Sequence, residues 1–432
     1  MTDGDAMSVS HYVMTGDGAV NVHRFCTETQ YNEIDYCQDT LRTCMSISIW
    51  QADNTQTIRD VDFLVIGAGL VGCSAAYFAS QAGHEVVITE MRDIAMGASG
   101  RNAGFMISGL DTYYHRAIET YGEAVAREMW QLSTETIDFW KTIVQQSGTV
   151  PLQESGSLLL AESEEEAEEL VCAAEALNHA GIDITFHAHD PLNRGYFAAI
   201  EQTRDAAVHP VKLTQAIYQA SGAELYSNNE VYQIDQTAPD VVLVYTQQAI
   251  FRARHVLLAT NAYSPKLDTY FYDKVIPTRA QAFVTAPLAE SVIDVCGYSN
   301  YGYMYYRMTF DNRFLIGGAR HKHKPLEHDT TEDRVNVLVQ AELERYMLRY
   351  FPDVDQPVER RWSGIMGFSV DGLPMAGVLP HKSRVGFAVG FTGHGLALGA
   401  GVAKRAVHLL LQDEHAGAVD ARRFNSDALQ IL

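Results

Sequence analysis

The sequence of 432 residues has few cysteines and few basic residues, and each scarcity argues against a class of protein. Six cysteines are too few for a scaffold built on disulfide bonds. Lysine and arginine total 32 against 54 acidic residues, which gives a formal net charge of −22 at pH 7. Because nucleic acids and anionic membranes are bound through clustered positive charge, this balance argues against both as partners.

The sequence also lacks a long uninterrupted apolar run. The longest one, Phe63 to Ala79, is broken by glycines, a pattern that favours a strand, a turn and a helix over a membrane span. The first residues are acidic and show no apolar stretch of a signal peptide, so a cytoplasmic location is expected. Cys26, Cys37 and Cys44 lack both CxxC spacing and nearby histidine pairs, so no metal site is expected there.

Helix and strand patterns alternate at both ends of the chain, with antiparallel-looking strands between them. This order predicts an α/β fold, in which a nucleotide-binding domain is built from separated pieces and a second, α+β domain is inserted. Residues 1–59 are polar and aperiodic, which predicts a flexible extension; alternatively, the native chain starts at Met45. The expected boundaries are 60–112, 206–270 and 355–415 for the nucleotide-binding domain, 113–205 and 271–354 for the inserted domain, and 416–432 for a tail.

A glycine-rich motif lies between a predicted strand, Val61 to Ile66, and a predicted helix, Leu70 to Gln81. Its three glycines would permit a tight turn, close approach of a pyrophosphate and close packing of helix on strand; they are Gly67, Gly69 and Gly72. The next predicted strand ends at Glu90, whose carboxylate can bind ribose hydroxyls. Together these features predict a dinucleotide site.

Three further motifs carry a resemblance to a known family. They are Gly97-Ala98-Ser99-Gly100-Arg101-Asn102-Ala103-Gly104, Leu258-Ala259-Thr260-Asn261-Ala262-Tyr263 and Gly390-Phe391-Thr392-Gly393-His394-Gly395. Over about residues 61 to 411 the sequence resembles the superfamily of D-amino acid oxidase, glycine oxidase and sarcosine oxidase. Its motifs are most similar to those of γ-glutamylputrescine oxidase-like members. The resemblance implies FAD, a Rossmann-like flavin domain and an inserted substrate domain on an antiparallel sheet.

Carried over position by position, the resemblance implies a set of cofactor-binding residues. They are Gly67, Gly69, Gly72, Glu90, Ser99, Arg101, Asn102, Ala103, Gly104, Val231, Thr260, Asn261, Gly364, Gly393, His394, Gly395 and Leu396. The helix expected to start near Gly395 can offer peptide N–H groups to a reduced flavin. His394 either polarises the flavin or acts on the substrate, or it is a turn histidine bonded to backbone.

A predicted hairpin over 303–308 and 313–317 carries the candidate substrate contacts, since the resemblance implies that it faces the flavin. Arg307 is the candidate anchor for a substrate carboxylate, because a guanidinium can hold one through two parallel hydrogen bonds. By the period of two, Tyr305 projects to the same side, and we group it with Arg307 and His394 as the catalytic candidates. Alternatively, Arg307 is a surface arginine in a salt bridge, and Arg279 is a weaker second candidate.

Two departures from the family bear on the cofactor and its reoxidation. The last cysteine is Cys296 and Asn102 stands where some members attach flavin through histidine, so noncovalent FAD is expected. Leu315 stands where sarcosine oxidase presents a lysine that promotes reaction with oxygen, which weakens the case for O2 as acceptor.

The sequence thus predicts an enzyme that oxidises the C–N bond of a small amine or amino acid by hydride transfer to flavin N5. Water would hydrolyse the imine, and O2 would be reduced to H2O2. Three alternatives stay open: a dehydrogenase that passes electrons to a quinone or carrier protein, an enzyme acting on a polyol phosphate, and a non-catalytic FAD-binding subunit. The sequence determines neither the particular substrate nor the oligomeric state.

Overall fold

The computed structural model describes residues 11–15, 18–22 and 57–424. The chain divides into two units, Met1–Gln56 and Thr57–Leu432. In the first, strands β1 (His11–Thr15) and β2 (Gly18–Val22) form an antiparallel hairpin that pairs His11 with Val22. The sequence does not predict these strands. The rest of the extension expected over 1–59 lies outside the described residues, except that its last three residues, 57–59, belong to a strand of the second unit.

The second unit alternates helices and strands. Its helices are α1 Leu70–Gln81, α2 Tyr114–Tyr121, α3 Glu123–Ser147, α4 Glu164–His179, α5 Pro210–Ser221, α6 Lys324–Glu327, α7 Val337–Tyr350 and α8 Gly395–Gln412. Its strands are β3 Thr57–Ile66, β4 Val86–Thr89, β5 Phe105–Met106, β6 Leu152–Gln153, β7 Ser157–Leu160, β8 Thr185–His187, β9 Ala199–Gln202, β10 Ala206–Val208, β11 Glu224–Tyr226, β12 Val231–Ala238, β13 Val241–Thr246, β14 Ala249–Leu258, β15 Val275–Pro287, β16 Cys296–Ser299, β17 Met304–Met308, β18 Arg313–Gly318, β19 Val358–Ser369, β20 Met375–Leu379 and β21 Lys382–Val389.

The first large sheet has the Rossmann-like core that the sequence predicts. Its strands lie in the order β11-β4-β3-β14-β13-β12, and β21 joins the sheet beside β14. The pairs from β11 to β14 are parallel, as is the pair of β14 with β21. Strand β3 begins at Thr57, four residues before the predicted start, because its mostly polar first residues pair with the start of β14. The carboxyl ends of β3 and β14 therefore meet at one edge of the sheet, where ligands of open α/β sheets bind.

The second large sheet is mostly antiparallel, in the order β19-β15-β18-β17-β16-β7-β9-β8. The predicted hairpin is present as β17 and β18, which pair Arg307 with Leu315. Strand β19 belongs to this sheet through its long pairing with β15, from Val275–Ser369 to Thr285–Val358. The expected boundary of the FAD-binding piece at residue 355 is therefore wrong: residues 358–369 lie in the second sheet.

The C-terminal segment packs closely as far as Phe424. Val419 and Ala421 are buried, and the buried Asp420 carboxylate accepts hydrogen bonds from Ala416 N at 3.0 Å and Arg422 N at 2.9 Å. The tail expected over 416–432 is thus part of the folded body through residue 424, and the remainder lies outside the described residues. None of the described helices is long and apolar enough to cross a membrane.

Asp205 is a fully buried carboxyl that ties β7 to the loop after β5. Its oxygens accept hydrogen bonds from Ser108 N (3.0 Å), Ser108 Oγ (2.8 Å) and Ser157 Oγ (2.6 Å). Burial outweighs these bonds and raises the pKa of Asp205 to about 6, from 3.8. The protonated carboxyl therefore stabilises the fold. Its contribution to stability is fully present below the pKa of Asp205 in the unfolded chain and is lost as pH rises through 6.

As pH rises from about 4.5 to about 7.5, the unfolding free energy of the wild type should fall by roughly 2 kcal/mol relative to that of the Asp205→Asn variant. The measurement is urea unfolding of both proteins across this range. Asp183→Asn, which removes an exposed carboxyl, serves as the control. A wild-type-minus-variant difference that does not change with pH would contradict the assignment.

Candidate active site

The turn between β3 and α1 brings peptide N–H groups to the edge of the first sheet. Gly69 precedes the first residue of α1, and the N–H of Leu70 donates to Ser99 Oγ at 2.8 Å. A Cβ at Gly69 would lie 2.8 Å from the same oxygen. At Gly72 a Cβ would lie 1.8 Å from Gly67 O, so only glycine allows the helix to pack this closely on the turn.

Glu90 is held at the end of β4 by two peptide groups. One carboxylate oxygen accepts from Ala68 N and the other from Arg92 N, both at 2.9 Å. Each oxygen keeps a second lone pair for a ligand hydroxyl. Val231, the first residue of β12, lies on the same cavity wall as Glu90.

The segment from Gly97 to Gly104 is folded by the side chain of Asn102. Its amide donates to Ala98 O (3.1 Å) and Ser99 O (2.8 Å), and its oxygen accepts from Gly104 N at 2.7 Å. The Arg101 guanidinium donates to Ser363 O at 2.9 Å and pairs with Asp333 at 2.6 Å. The segment is thereby fixed to strand β19 of the second sheet.

The start of α8 faces the same space. The peptide N–H groups of Gly395 and Leu396 have no acceptor among the described residues. Trp140, fully buried on α3, donates its indole N–H to Leu396 O at 2.7 Å and so holds the start of the helix in place. Asn261 supports the approach to this helix, since its side-chain oxygen accepts from Gly390 N at 2.9 Å.

A single cavity of about 480 Å³ is lined by these separate motifs. All of the predicted cofactor-binding residues line it except Gly72 and Gly104; those that do are Gly67, Gly69, Glu90, Ser99, Arg101, Asn102, Ala103, Val231, Thr260, Asn261, Gly364, Gly393, His394, Gly395 and Leu396. Gly104 instead packs behind the cavity, where a Cβ would lie 2.2 Å from Val208 O.

The wall of the cavity that belongs to the second sheet is aromatic. The rings of Tyr298 and Tyr305 stack at 5.9 Å, and Phe105 lies 5.4 Å from Tyr298 and 6.2 Å from Tyr305. Burial raises the pKa of Tyr305 to about 12, so its hydroxyl is neutral and can donate a hydrogen bond. Neither tyrosine hydroxyl has a hydrogen-bond partner in residues 57–424.

Arg307 does not line the cavity, which corrects its expected role as a substrate anchor. Its side chain is buried, and its three nitrogens donate to Ala103 O (2.7 Å), Met308 O (3.1 Å) and Val208 O (3.3 Å). Three of the five N–H donors of Arg307 are thereby engaged by carbonyl groups. The second candidate, Arg279, is paired with buried Glu327 at 2.8 Å and also lies outside the lining.

Arg320, which sequence reasoning missed, lines the cavity together with Arg92 and Arg101. Its guanidinium lies 4.8 Å from the ring centre of Tyr303 and 5.0 Å from that of Phe368, and 3.6 Å from a carboxylate oxygen of Asp111. It donates no hydrogen bond to any residue in 57–424. Ala319, with φ of 57°, turns the chain after β18 and so directs Arg320 inward.

His394 completes this polar group. Its Nδ1 lies 3.8 Å from Asp111 Oδ1, and this buried nitrogen has no hydrogen-bond partner in the described part of the chain. The imidazole is therefore not engaged by backbone. Asp111 lies between a guanidinium and an imidazole, so a substrate meets positive, negative and titratable groups on one side of the cavity.

Comparison with known proteins decides the family. The model of a family described as FAD dependent oxidoreductase matches residues 62–409. The chain belongs to this family. As an FAD-dependent oxidoreductase, it is an enzyme whose cofactor is FAD, as the sequence motifs predict.

Relatives resemble this FAD-dependent oxidoreductase over most of its length. It is 26% identical to a probable oxidoreductase OrdL of Haemophilus influenzae, over 81% of this chain and 82% of the relative. It is 26% identical to γ-glutamylputrescine oxidoreductase of Escherichia coli, over 85% and 86%. Glycine oxidase of Geobacillus kaustophilus shares the fold with a TM-score of 0.71 at 20% identity, over 83% of this chain and 96% of that one.

The residues of the cavity fit FAD. Gly69 lines the cavity, so phosphate can approach the start of α1, where the helix dipole favours negative charge. Glu90 can accept from ribose hydroxyls, and the free N–H groups of Gly395 and Leu396 can donate to the flavin ring. None of the cysteines in residues 57–424 lines the cavity.

Replacing Arg307 by methionine should destabilise this enzyme without changing substrate affinity. Loss of a charged donor to three carbonyls is expected to lower the unfolding free energy by about 1.5–3 kcal/mol. In the fraction that retains FAD, KM for a carboxylated substrate should stay within about twofold, because the cavity wall is untouched. Urea unfolding and steady-state kinetics check both points; a large rise in KM with unchanged stability would restore Arg307 as the anchor.

Proposed function

We propose that this FAD-dependent oxidoreductase oxidises the C–N bond of a small amine or amino acid. The observation that carries the proposal is the group of Arg320, Asp111 and His394 beside the aromatic wall, inside the cavity that the FAD motifs line. Relatives named γ-glutamylputrescine oxidoreductase and glycine oxidase support the same substrate class.

In this proposal the chain's own residues place the substrate. Arg320 holds a carboxylate through two parallel hydrogen bonds, since its guanidinium donates no hydrogen bond to the residues in 57–424. Tyr298 and Tyr305 exclude water from the reacting carbon and can donate neutral hydroxyl hydrogens. The cavity therefore supplies orientation and desolvation, which are the protein's part in flavin chemistry.

The chemistry that FAD supplies when bound is acceptance of a hydride at N5 from the substrate carbon. Loss of this hydride, together with an amine proton, converts the amine to an imine, and water hydrolyses the imine to a carbonyl compound and an amine or ammonia. The peptide N–H groups at the start of α8 stabilise the negative charge that develops across the cavity.

We further propose that FAD is held noncovalently and that O2 is the electron acceptor, with H2O2 as product. Leu315 is buried and lies outside the cavity lining, so β18 presents no cation to the flavin side, and reaction with O2 depends on Arg320 for positive charge. Precipitation of the protein with acid should release all of its FAD into the supernatant.

The experiment is a screen of the purified protein against amines, amino acids and polyol phosphates, coupled to H2O2 detection. We expect H2O2 to form with a set of amines and with none of the phosphates. Substrate-dependent reduction of an artificial electron acceptor without H2O2 would identify a dehydrogenase. Turnover of a polyol phosphate alone would overturn the proposal.

A further inference from the structure

A second, smaller cavity of about 60 Å³ lies beside the first and shares a wall with it. The shared residues are Ile107, Asp111, Tyr298, Gly302 and His394. The rest of this side pocket is lined by the loop that precedes α2, by α2, α3 and α4, and by Leu159, Tyr301 and the end of β9; it includes Tyr114, Trp130 and Gln202. It thus opens away from the FAD motifs, behind the polar group of the main cavity.

Two residues that line the side pocket carry buried polar atoms that the described part of the chain leaves unpaired. Tyr114 Oη and Gln202 Oε1 are buried and have no hydrogen-bond partner within residues 57–424, and the same is true of His394 Nδ1 in the shared wall. Tyr114 is 5% exposed and Gln202 4% exposed. An unpaired buried polar atom is costly, so two in one small pocket and a third beside it indicate a ligand group that pairs with them.

The charge of the side pocket indicates which kind of ligand group would pair with these atoms. Asp111 contributes a carboxylate, and neither lysine nor arginine lines the pocket. Gln202 Oε1 and Asp111 accept hydrogen bonds, and Tyr114 Oη can do so. An N–H donor, neutral or cationic, is therefore favoured over a carboxylate or phosphate.

We propose that the side pocket binds the far end of the substrate, and that this end carries an N–H donor, an ammonium or an amide. This inference rests on the proposed function, which places the reacting C–N bond in the main cavity. A buried water needs about 10–15 Å³ of such volume, so the pocket has room for a short chain end of a few heavy atoms. The favoured substrate is thus an amine or amino acid with a second nitrogen at its other end.

The test compares substrates that share the reacting end and the chain length and differ only at the far end. The three members of a set end in a methyl, an ammonium and an amide group, and kcat/KM is measured for each with the FAD-loaded enzyme. We expect the nitrogen-ended members to be preferred by about tenfold or more over the methyl-ended one. Equal rates across a set, or preference for methyl, would overturn the inference.

Two variants place the preference in the side pocket. Gln202→Leu and Tyr114→Phe should each remove most of it, chiefly through KM of the nitrogen-ended substrates. Tyr350→Phe is the matched control. It also removes a buried hydroxyl that has no hydrogen-bond partner in the described part of the chain, but Tyr350 lines neither cavity. Preference that survives both pocket variants would contradict the site.

The same substrate sets distinguish failure of the side-pocket inference from failure of the proposed function. If every member of a set is oxidised but without preference, the proposed function stands and only the side-pocket inference fails. If none of the amines is oxidised or reduces the bound flavin, the proposed function fails and the inference falls with it.

Discussion

Replacing Gly69 by aspartate is expected to give a colourless protein that no longer retains FAD. The new side chain would start 2.8 Å from Ser99 Oγ and place a carboxylate at the N–H groups of α1. Two like charges about 4 Å apart repel by about 4 kcal/mol near a protein surface, which is roughly a thousandfold in affinity. The ratio of flavin to protein absorbance after desalting measures the effect.

The control adds the same charge at the other end of the same helix. Ala82, the residue after α1, is exposed, so Ala82→Asp should retain FAD in full. Gly69→Ala separates the steric effect from the charge, because it adds only the crowded Cβ. A Gly69→Asp protein as yellow as the wild type would show that phosphate does not bind at this turn.

Replacing Arg320 by leucine is expected to raise KM for carboxylated substrates. The lost charge-assisted pair is worth about 1.5–3 kcal/mol, or roughly 10- to 150-fold in kcat/KM. Amines without a carboxylate should be affected much less. Steady-state kinetics with an amino acid and its decarboxylated amine give both values on one protein.

Arg320→Lys is the matched variant for geometry. It keeps the positive charge beside Asp111 and removes the planar fork, so it should restore only part of the affinity. Arg307→Met is the control for the position of the charge, because it removes an arginine that does not line the cavity. Equal losses for the amino acid and the amine in Arg320→Leu would place the carboxylate site elsewhere.

The parts of the fold that depend on local pattern are predictable from the sequence. Helix α1 has the predicted bounds, Leu70–Gln81, because a glycine turn starts it and a run of small and apolar residues continues it. The hairpin of β17 and β18 follows from alternating residues around Asp311 and Asn312. The pairing of β19 with β15 could not be predicted, because β15 lies about 80 residues earlier and pairing at such a distance leaves no local signal.

The two arginines show where the same reasoning fails at the site. Alternation gives the side of the strand on which Arg307 lies, but the carbonyls that hold it come from Ala103 and Val208, far away in the chain. Arg320 follows a strand end, beside a histidine- and lysine-rich turn that reads as a solvated loop. Its one signal is the pair Gly317-Gly318 before it, which marks a sharp change of chain direction.

Anaerobic titration of the purified protein with amines and amino acids shows whether they reduce the bound flavin. At least one of them should bleach the flavin absorbance, with one carbonyl product formed for each flavin reduced. Arg320→Leu should need more of a carboxylated substrate for the same bleaching. A flavin that stays oxidised with every amine, and is bleached by an alcohol such as a polyol phosphate, would show that the enzyme does not act on C–N bonds.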